Sequence, residues 1–107
     1  MAGRCISVIV PCRNERAHIA AFCDGVLRQT LPQGWEMQVL IADGQSSDGT
    51  RELLSALSAD DGRIQLLDNP QRIVSTGLNR AVDSARGEVI VRMDVHTSYA
   101  PDYVAQC

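Results

Sequence analysis

The sequence predicts an α/β domain in which helices cover both faces of a mostly parallel sheet. Short apolar runs alternate with amphipathic helical patterns in the order β-α-β-α-β-α-β. The segments that join successive apolar runs are too long for hairpins, so the strands are expected to lie parallel. Polar clusters directly follow three of the four runs, at the end where open sheets of this kind bind ligands.

The first two strands are predicted from the apolar runs at 6–10 and 39–42. The first strand is predicted to end at Pro11 and the second at Asp43, and such continuous apolar runs are typical of central parallel strands. Between them, apolar residues recur at the spacing of a helix packed on one face. These are Ile19, Phe22, Cys23, Val26 and Leu27.

The second half of the chain repeats the pattern. Asp48 is predicted as the N-cap of a second helix, and residues 64–67 and 89–93 as the third and fourth strands. A third helical stripe lies between them, with Gly87 expected just after its end. From Ser98 onward a further helix is predicted to start about one turn before the sequence ends, so we expect the chain to be a fragment of a longer protein.

Composition excludes several classes of function. The net charge is −3, and a general nucleic-acid binder would normally carry a basic face, so no nucleic-acid partner is expected. All ten basic residues are arginine, which rules out chemistry that needs a lysine amine. The four cysteines match no zinc or redox spacing and are expected to be free thiols or small buried side chains.

Familiar nucleotide-binding motifs do not fit. The segment after the first strand reads Pro-Cys-Arg-Asn-Glu, where a dinucleotide Rossmann site needs Gly-x-Gly-x-x-Gly. A P-loop needs a lysine. A phospho-accepting receiver domain has similar length and topology, but it needs an acidic pair after strand one and a lysine. A nucleotidyltransferase with the same sheet is disfavoured because its glycine-rich, lysine-containing first loop is missing.

Asp94 and His96 pose the main question about chemistry. They follow the fourth strand two residues apart, and a strand points residues i and i+2 to the same side. The pair is either a metal site or the polar exit of a strand into a loop. Because three polar clusters (11–15, 43–48 and 94–96) are predicted on one edge of the sheet, we favour a ligand site there.

Three segments in order carry a resemblance to a known family. They are Val-Ile-Val-Pro-Cys-Arg-Asn-Glu (8–15), Ile-Ala-Asp-Gly-Gln-Ser-Ser-Asp-Gly-Thr (41–50) and Ala-Arg-Gly-Glu-Val-Ile-Val-Arg-Met-Asp-Val-His (85–96). Together they resemble the N-terminal half of the family 2 glycosyltransferases. The pattern Arg-Met-Asp-x-His is similar to the branch that builds bacterial exopolysaccharides of the succinoglycan type.

The resemblance implies a fold and a place in it. It implies the GT-A fold, a Rossmann-like, three-layer α/β/α arrangement with a mostly parallel sheet, truncated here after the fourth strand. Residues 1–107 would be the N-terminal nucleotide-sugar-binding part of a single GT-A domain. The acceptor half and the general base would lie beyond residue 107, so no catalytic residue is assigned here and the fragment alone is expected to be inactive.

The resemblance also implies an activity. The parent protein would transfer a sugar from a nucleotide-diphospho-sugar, with a UDP-sugar favoured, to a saccharide or lipid-linked acceptor. The reaction would invert the anomeric centre and serve synthesis of exopolysaccharide or cell-surface polysaccharide. The alternative is a non-catalytic nucleotide-binding or assembly module of the same fold, which the histidine at position 96 favours.

Residues of the first two segments match the family's nucleotide pocket. Pro11, Arg13 and Glu15 match the segment after the first strand, although the family often has an aromatic residue where Arg13 stands. A guanidinium still stacks on a base or approaches a phosphate. Asn14 either binds ligand or shapes the loop. Asp43 matches the aspartate that hydrogen-bonds the base.

Asp48 matches the second aspartate of the 41–50 segment, and helix capping explains it equally well. Asp94 and His96 match the family's Asp-x-Asp, in which two carboxylates bridge Mg²⁺ or Mn²⁺ to the diphosphate. Histidine replaces the second aspartate, so either the ion is Mn²⁺, which imidazole suits better than Mg²⁺, or His96 contacts phosphate directly. Arg92 is near enough to contact phosphate.

The sequence also predicts where the protein is located and whether the chain self-associates. With no apolar run of membrane-spanning length and no signal-peptide pattern, the chain is expected in the cytoplasm. The inner face of the plasma membrane is the alternative for a membrane-associated full-length protein. A truncated sheet exposes an edge and an apolar face, so we expect the fragment to self-associate, as a dimer or as aggregates.

Overall fold

A four-stranded parallel sheet organises the chain, and a computed structural model describes it over residues 4–70, 74–95 and 102–106. Strands and helices alternate as the sequence predicts. The elements are β1 (Arg4–Cys12), α1 (Arg16–Leu27), β2 (Trp35–Asp43), α2 (Thr50–Asp60), β3 (Ile64–Asp68), α3 (Val74–Ser84), β4 (Val89–Arg92) and α4 (Tyr103–Gln106).

The strand order is β3-β2-β1-β4, and all three pairings are parallel. The prediction of a mostly parallel sheet is therefore confirmed. The order reverses at β1, which has β2 on one side and β4 on the other, and such a switch point opens a crevice at the carboxyl ends of the strands. The register places Cys12, Asp43 and Asp68 in one row along that edge.

Alternating side chains build a separate core on each face of the sheet. The larger cluster joins Val8, Val10 and Ile41 to buried residues of α1 and α2, such as Ile19 and Leu54. On the other face Ile9, Leu40 and Ala81 form the smaller cluster beneath α3. Both faces of β1 and β2 are therefore buried, which explains their continuous apolar runs and confirms the three-layer prediction.

The prediction that Pro11 ends the first strand was wrong, because β1 continues to Cys12. The carbonyl of Ile9 accepts from Met93 of the β4 segment, whereas the carbonyl of Cys12 accepts from Gly44 after β2. Pro11 has the same parity as Ile9, so its nitrogen faces the β4 side. The pairing with β4 ends at Ile9, and proline there gives up no ladder hydrogen bond.

Gly87 was expected directly after the third helix, but α3 ends at Ser84. Its role is close approach to β1: a Cβ at position 87 would lie 2.6 Å from the Ser7 nitrogen and 2.8 Å from the Cys5 carbonyl oxygen. The Gly87 N–H donates to the Ser7 hydroxyl at 2.9 Å. The backbone entering β4 therefore lies directly against β1, where only glycine fits.

The last described helix is tied to the core through one buried side chain. Val104 of α4 is buried in the larger cluster, and its N–H donates to Gln29 Oε1 at 2.9 Å. The predicted helix start at Ser98 lies outside the described residues. Cys12 and Cys23 are buried free thiols and Cys5 is a half-buried one, as predicted, while Cys107 is not described. No helix of the described ranges has the length and apolarity needed to cross a membrane.

Candidate functional site

Hydrogen bonds join the loops that follow β1 and β2 at the carboxyl edge. Asn14 has a left-handed backbone, with φ of 53°, and its N–H donates to the Ser46 hydroxyl at 2.8 Å. Its Oδ1 accepts the Ser47 N–H, also at 2.8 Å. Asparagine tolerates the left-handed region better than most residues, and its side chain here holds one loop to the other. Asn14 therefore shapes the loop.

Asp48 lies between the first turns of α1 and α2. Its carboxylate accepts the Arg16 N–H at 3.3 Å, and it accepts both the N–H (3.1 Å) and the hydroxyl (2.5 Å) of Thr50. The pKa of Asp48 is lowered, chiefly by the Thr50 hydroxyl and then by these backbone bonds. A carboxylate beside two helix N-termini is favoured by their dipoles, so Asp48 itself occupies the anion position between them.

The prediction of Asp48 as an N-cap was wrong by one residue. The N-cap of α2 is Gly49, in a left-handed conformation with φ of 98°, and the helix begins at Thr50. The Asp48 carboxylate still satisfies the first helical N–H group, as a capping side chain does. Thr50 extends the network, because its hydroxyl oxygen accepts the Glu15 N–H at 2.9 Å.

Asp43, at the end of β2, is enclosed by its own loop. Its side chain is 0% exposed. Oδ1 accepts the Ser46 hydroxyl at 2.5 Å, and Oδ2 accepts the Ser46 N–H at 3.1 Å and Arg51 Nε at 3.0 Å. A carboxylate has about four acceptor positions, so three of them are already filled.

Arg51 bridges the ends of two strands. Its Nε donates to Asp43, and its Nη2 donates to Asp68 at the end of β3. The pKa of Arg51 is raised, mainly by its bond to Asp68. The arginine therefore holds two carboxylates that the sheet register places side by side.

Sequence reasoning missed four residues of this network: Ser46, Thr50, Arg51 and Asp68. One signal was available, because Asp68 ends the run Leu-Leu-Asp as Asp43 ends Ile-Ala-Asp. The parallel prediction places such strand ends at one edge. The role of Arg51 had no comparable signal, because it depends on where α2 begins relative to the two strands.

The thiol of Cys12 lies next to Asp43 in the strand register. Burial raises the pKa of Cys12 to about 12, and the negative charge of Asp43 adds to the effect. A thiol with so high a pKa stays protonated at neutral pH, so Cys12 supplies no thiolate nucleophile there.

Three further predicted site residues lie on the first segment. Pro11 is half-buried within β1, and the Arg13 side chain is exposed after the strand. Glu15 is the half-buried N-cap residue of α1, where its carbonyl accepts the N–H groups of His18 and Ile19. The structure thus places this segment at the carboxyl edge, as predicted, with Arg13 facing solvent.

The end of β4 carries a second arginine–aspartate pair. Arg92 Nε and Nη2 donate to Oδ1 of Asp94 at 3.3 and 3.2 Å, and the side chains are 50% and 45% exposed. Both residues alternate with Val91, Met93 and Val95, whose side chains are buried in the larger cluster. The pair therefore faces away from that cluster, and Asp94 Oδ2 is not engaged by Arg92.

The Asp94 carboxylate fits a divalent cation shared with a diphosphate. Within the described ranges, no three histidine, cysteine or acidic side chains cluster as a metal site, and His96 lies outside those ranges. Mg²⁺ at phosphate sites is commonly held by one or two carboxylates while phosphates and water complete its shell. A half-exposed carboxylate at this position is therefore compatible with such an ion, provided that the nucleotide binds with it.

The fold and the edge residues define a class. The chain is a parallel α/β sheet with helices on both faces, and its polar residues lie where β1, β2 and β4 end, the position at which such sheets bind ligands. The sequence model of glycosyl transferase family 2 matches residues 7–107. The chain therefore belongs to glycosyl transferase family 2, as its three sequence segments predicted.

Relatives and solved structures agree with this assignment. The chain is 41% identical over 98 residues to the succinoglycan biosynthesis protein ExoA of Rhizobium meliloti (strain 1021), covering 90% of this chain and 29% of that protein. It is 37% identical over 90 residues to the Escherichia coli UDP-Glc:alpha-D-GlcNAc-diphosphoundecaprenol beta-1,3-glucosyltransferase WfgD, covering 83% and 34%.

Among solved structures, the mannosyltransferase PcManGT of Pyrobaculum calidifontis, in complex with GDP-Man and Mn²⁺, superposes with a TM-score of 0.83 at 28% identity. The match covers 98% of this chain and 31% of that one. The predicted GT-A fold is thereby confirmed. This chain spans about three tenths of the length of these relatives.

Proposed function

We propose that the protein carrying this chain is a glycosyltransferase that uses a nucleotide-diphospho-sugar, and that residues 1–107 form the N-terminal nucleotide-sugar-binding part of its GT-A domain. The observation that carries the proposal is the placement of Asp43 and Asp94 at the ends of β2 and β4, on either side of β1. This placement provides one carboxylate for the base and another for the diphosphate. The exopolysaccharide and glucosyltransferase relatives support it.

Asp43 is the residue we assign to the base. A carboxylate accepts a hydrogen bond from an imide N–H, such as that of uracil, and its remaining acceptor position is on Oδ1. Because the side chain is fully enclosed, contact requires the Ser46 hydroxyl to turn away from Oδ1. The Ser46 N–H and Arg51 would continue to hold Oδ2.

Arg92, Asp94 and His96 are assigned to the diphosphate. Asp94 would hold a divalent cation, Mn²⁺ or Mg²⁺, together with phosphate oxygens, and His96 would be a further ligand. When bound, that ion offsets the negative charge that grows on the leaving diphosphate. Arg92 is exposed enough to contact a phosphate while one of its nitrogens keeps Asp94 in place.

The remaining predicted residues line and shape the nucleotide pocket. Pro11 and Glu15 fix the segment after β1, and exposed Arg13 is positioned to stack on a base or reach a phosphate. Asn14 and Asp48 act indirectly, because their hydrogen bonds hold the two loops together.

The donor and acceptor are proposed by class. A UDP-sugar is favoured, since WfgD is named for UDP-Glc, although PcManGT was solved with GDP-Man. The acceptor would be a saccharide or lipid-linked sugar in exopolysaccharide or cell-surface polysaccharide synthesis. The general base that deprotonates its hydroxyl would lie beyond residue 107.

Nucleotide titration tests the proposal. UDP and GDP, added to the full protein encoded by the gene, are expected to bind more tightly with Mn²⁺ than with a chelator, as measured by calorimetry. Asp94→Ala should remove the metal-dependent part. Arg63→Gln, which breaks an ion pair with Asp61 just before β3, is the control and should bind as the wild type does. Nucleotide binding that is absent, or indifferent to metal and to Asp94→Ala, would refute the function.

Two exposed apolar side chains bear on self-association of the chain. Val82 on α3 and Ile90 on β4 are 45% and 44% exposed, and β4 is an edge strand. We propose that the chain alone dimerises through this edge, and that the full protein works in the cytoplasm or at the inner face of the plasma membrane. Light scattering of the chain would show a dimer, and a clean monomer would refute the dimer. Fractionation of cells would test the location.

A further inference from the structure

An arginine in the first turn of α2 contacts two strand ends at once. Arg51 is the second residue of the helix, and its guanidinium reaches the ends of β2 and β3 together. Asp43 and Asp68 are register partners and point to the same face of the sheet, the face on which α2 packs. Both carboxylates therefore meet the first turn of that helix.

Exposure divides the bridge into a buried and an open half. The Asp43 side chain is 0% exposed, Arg51 is 36% exposed and Asp68 is 49% exposed. A buried carboxylate needs a partner with good geometry, whereas the half-exposed Asp68 is also solvated. Asp68 thus holds the guanidinium in place, and the guanidinium supplies the hydrogen bond and positive charge that the buried Asp43 carboxylate needs.

The two oxygens of Asp43 are held by different means. Oδ2 is bonded to the backbone N–H of Ser46 at 3.1 Å and to Arg51 Nε at 3.0 Å. The Arg51 guanidinium is held in turn by Asp68. Oδ1 is bonded to the Ser46 hydroxyl, which rotates about a single bond. Oδ1 is therefore the oxygen that becomes available to a ligand, and Oδ2 is the one that keeps the carboxylate oriented.

We propose that Arg51 is a positioning residue for nucleobase recognition: anchored by Asp68, it holds Oδ2 so that Oδ1 of Asp43 faces the imide N–H of the base. This inference rests on the proposed function, in which Asp43 contacts the base. In this role Arg51 acts through Asp43, because its Nε donates to Asp43 and its Nη2 donates to Asp68. Arg51 is therefore expected to increase the preference of the protein for a base that carries this N–H over a base that lacks it.

Pairs of nucleotides that differ by one methyl group test the inference. UDP is compared with N3-methyl-UDP, and GDP with N1-methyl-GDP, by calorimetry on the full protein with Mn²⁺. The wild type is expected to prefer the unmethylated nucleotide by about tenfold or more, the usual effect of one hydrogen bond to a charged group. Arg51→Gln should weaken the unmethylated nucleotide by about tenfold and leave the methylated one nearly unchanged, so that the preference disappears.

Two further variants separate positioning from simple support of the fold. Arg51→Lys keeps a positive charge near Asp43 and should restore part of the preference, whereas a purely structural defect would weaken both nucleotides equally. Arg63→Gln removes a similar arginine–aspartate pair far from the carboxyl edge and should leave the preference intact.

The outcomes distinguish the inference from the function beneath it. If the wild type binds neither nucleotide, the proposed function is wrong. If Asp43→Asn abolishes the preference and Arg51→Gln retains it, only the role of Arg51 is wrong. If the wild type binds both members of a pair equally, Asp43 does not contact the base and the inference is wrong with it.

Discussion

The two ends of the carboxyl edge use the same pair of residue types in opposite ways. At the β2–β3 end, Arg51 and Asp43 belong to a closed network in which the carboxylate is 0% exposed. At the β4 end, Arg92 and Asp94 form an ion pair whose side chains are about half exposed. The first pair is buried and supports the fold, whereas the second is accessible enough for a ligand to replace the bond between its two side chains.

The difference arises from what surrounds each strand end. The end of β2 lies between β1 and β3 and beneath the first turn of α2, so these three segments and the loop that carries Ser46 enclose Asp43. β4 is an edge strand, and Asp94 alternates with buried residues so that it faces outward. Burial makes an arginine–carboxylate pair costly to break, and exposure makes it nearly neutral. Pattern alone therefore does not show which aspartate supports structure.

The same alanine substitution at both ends should separate them most strongly. Asp43→Ala removes three hydrogen bonds around a buried site, and we expect it to lower the free energy of unfolding by about 3 kcal/mol. Asp94→Ala should change it by less than about 0.5 kcal/mol, as is usual for exposed pairs. Urea denaturation measures both. Equal losses of unfolding free energy in the two variants would show that Asp43 and Asp94 support the fold equally, which contradicts the comparison.

Replacing Asn14 tests how the loop after β1 is held. Asn14→Ala places in the left-handed region a residue that tolerates it less well than asparagine, and it removes the bond from the Ser47 N–H, so a loss of about 1–2 kcal/mol is expected. Asn14→Gly removes the same bond without the backbone cost and should lose less. Denaturation midpoints of the two variants give the comparison. A glycine variant as unstable as the alanine variant would mean that the backbone conformation contributes nothing.

Much of the fold was predictable because it depends on local pattern. The order of strands and helices follows from apolar runs and helical stripes, and parallel pairing follows from the length of the connections. The boundaries were less accurate, as Pro11 and Gly87 show, because each depends on which neighbouring strand its backbone faces. Strand neighbours are decided by tertiary packing, which no short segment encodes.

The candidate site was predictable only in part. The resemblance identified the edge residues, but the enclosure of Asp43 became visible only in three dimensions, since it depends on Ser46 and Arg51 arriving from α2 and its loop. Asn14 was left between two roles by the sequence: its contacts with Ser46 and Ser47 show that it shapes the loop, and its binding of ligand stays a prediction. The predicted role of His96 lies outside the described residues and stays a prediction.

A pH dependence of stability tests the hydrogen bonds around Asp48. The pKa of Asp48 is lowered in the folded state from the ordinary value of 3.8, chiefly by the Thr50 hydroxyl. A depressed folded pKa contributes stability that is complete above the unfolded value and is lost as the pH falls through the folded one. Unfolding free energies of the wild type and Asp48→Asn should therefore converge below pH 4. Curves that stay parallel from neutral to acidic pH would contradict the assignment.

The smallest expected effect uses the Cys12 thiol as a reporter of the Asp43 charge. Burial raises the Cys12 pKa to about 12 and Asp43 adds to it, whereas the Cys23 pKa of about 11 is raised by burial. Asp43→Asn should increase the alkylation rate of Cys12 at pH 8.5 by less than about tenfold, the change in thiolate fraction for one pKa unit. Asp94→Asn should leave it unchanged. Mass spectrometry of the peptides measures each thiol separately, and an equal increase at Cys23 would mean that the variant only opens the core.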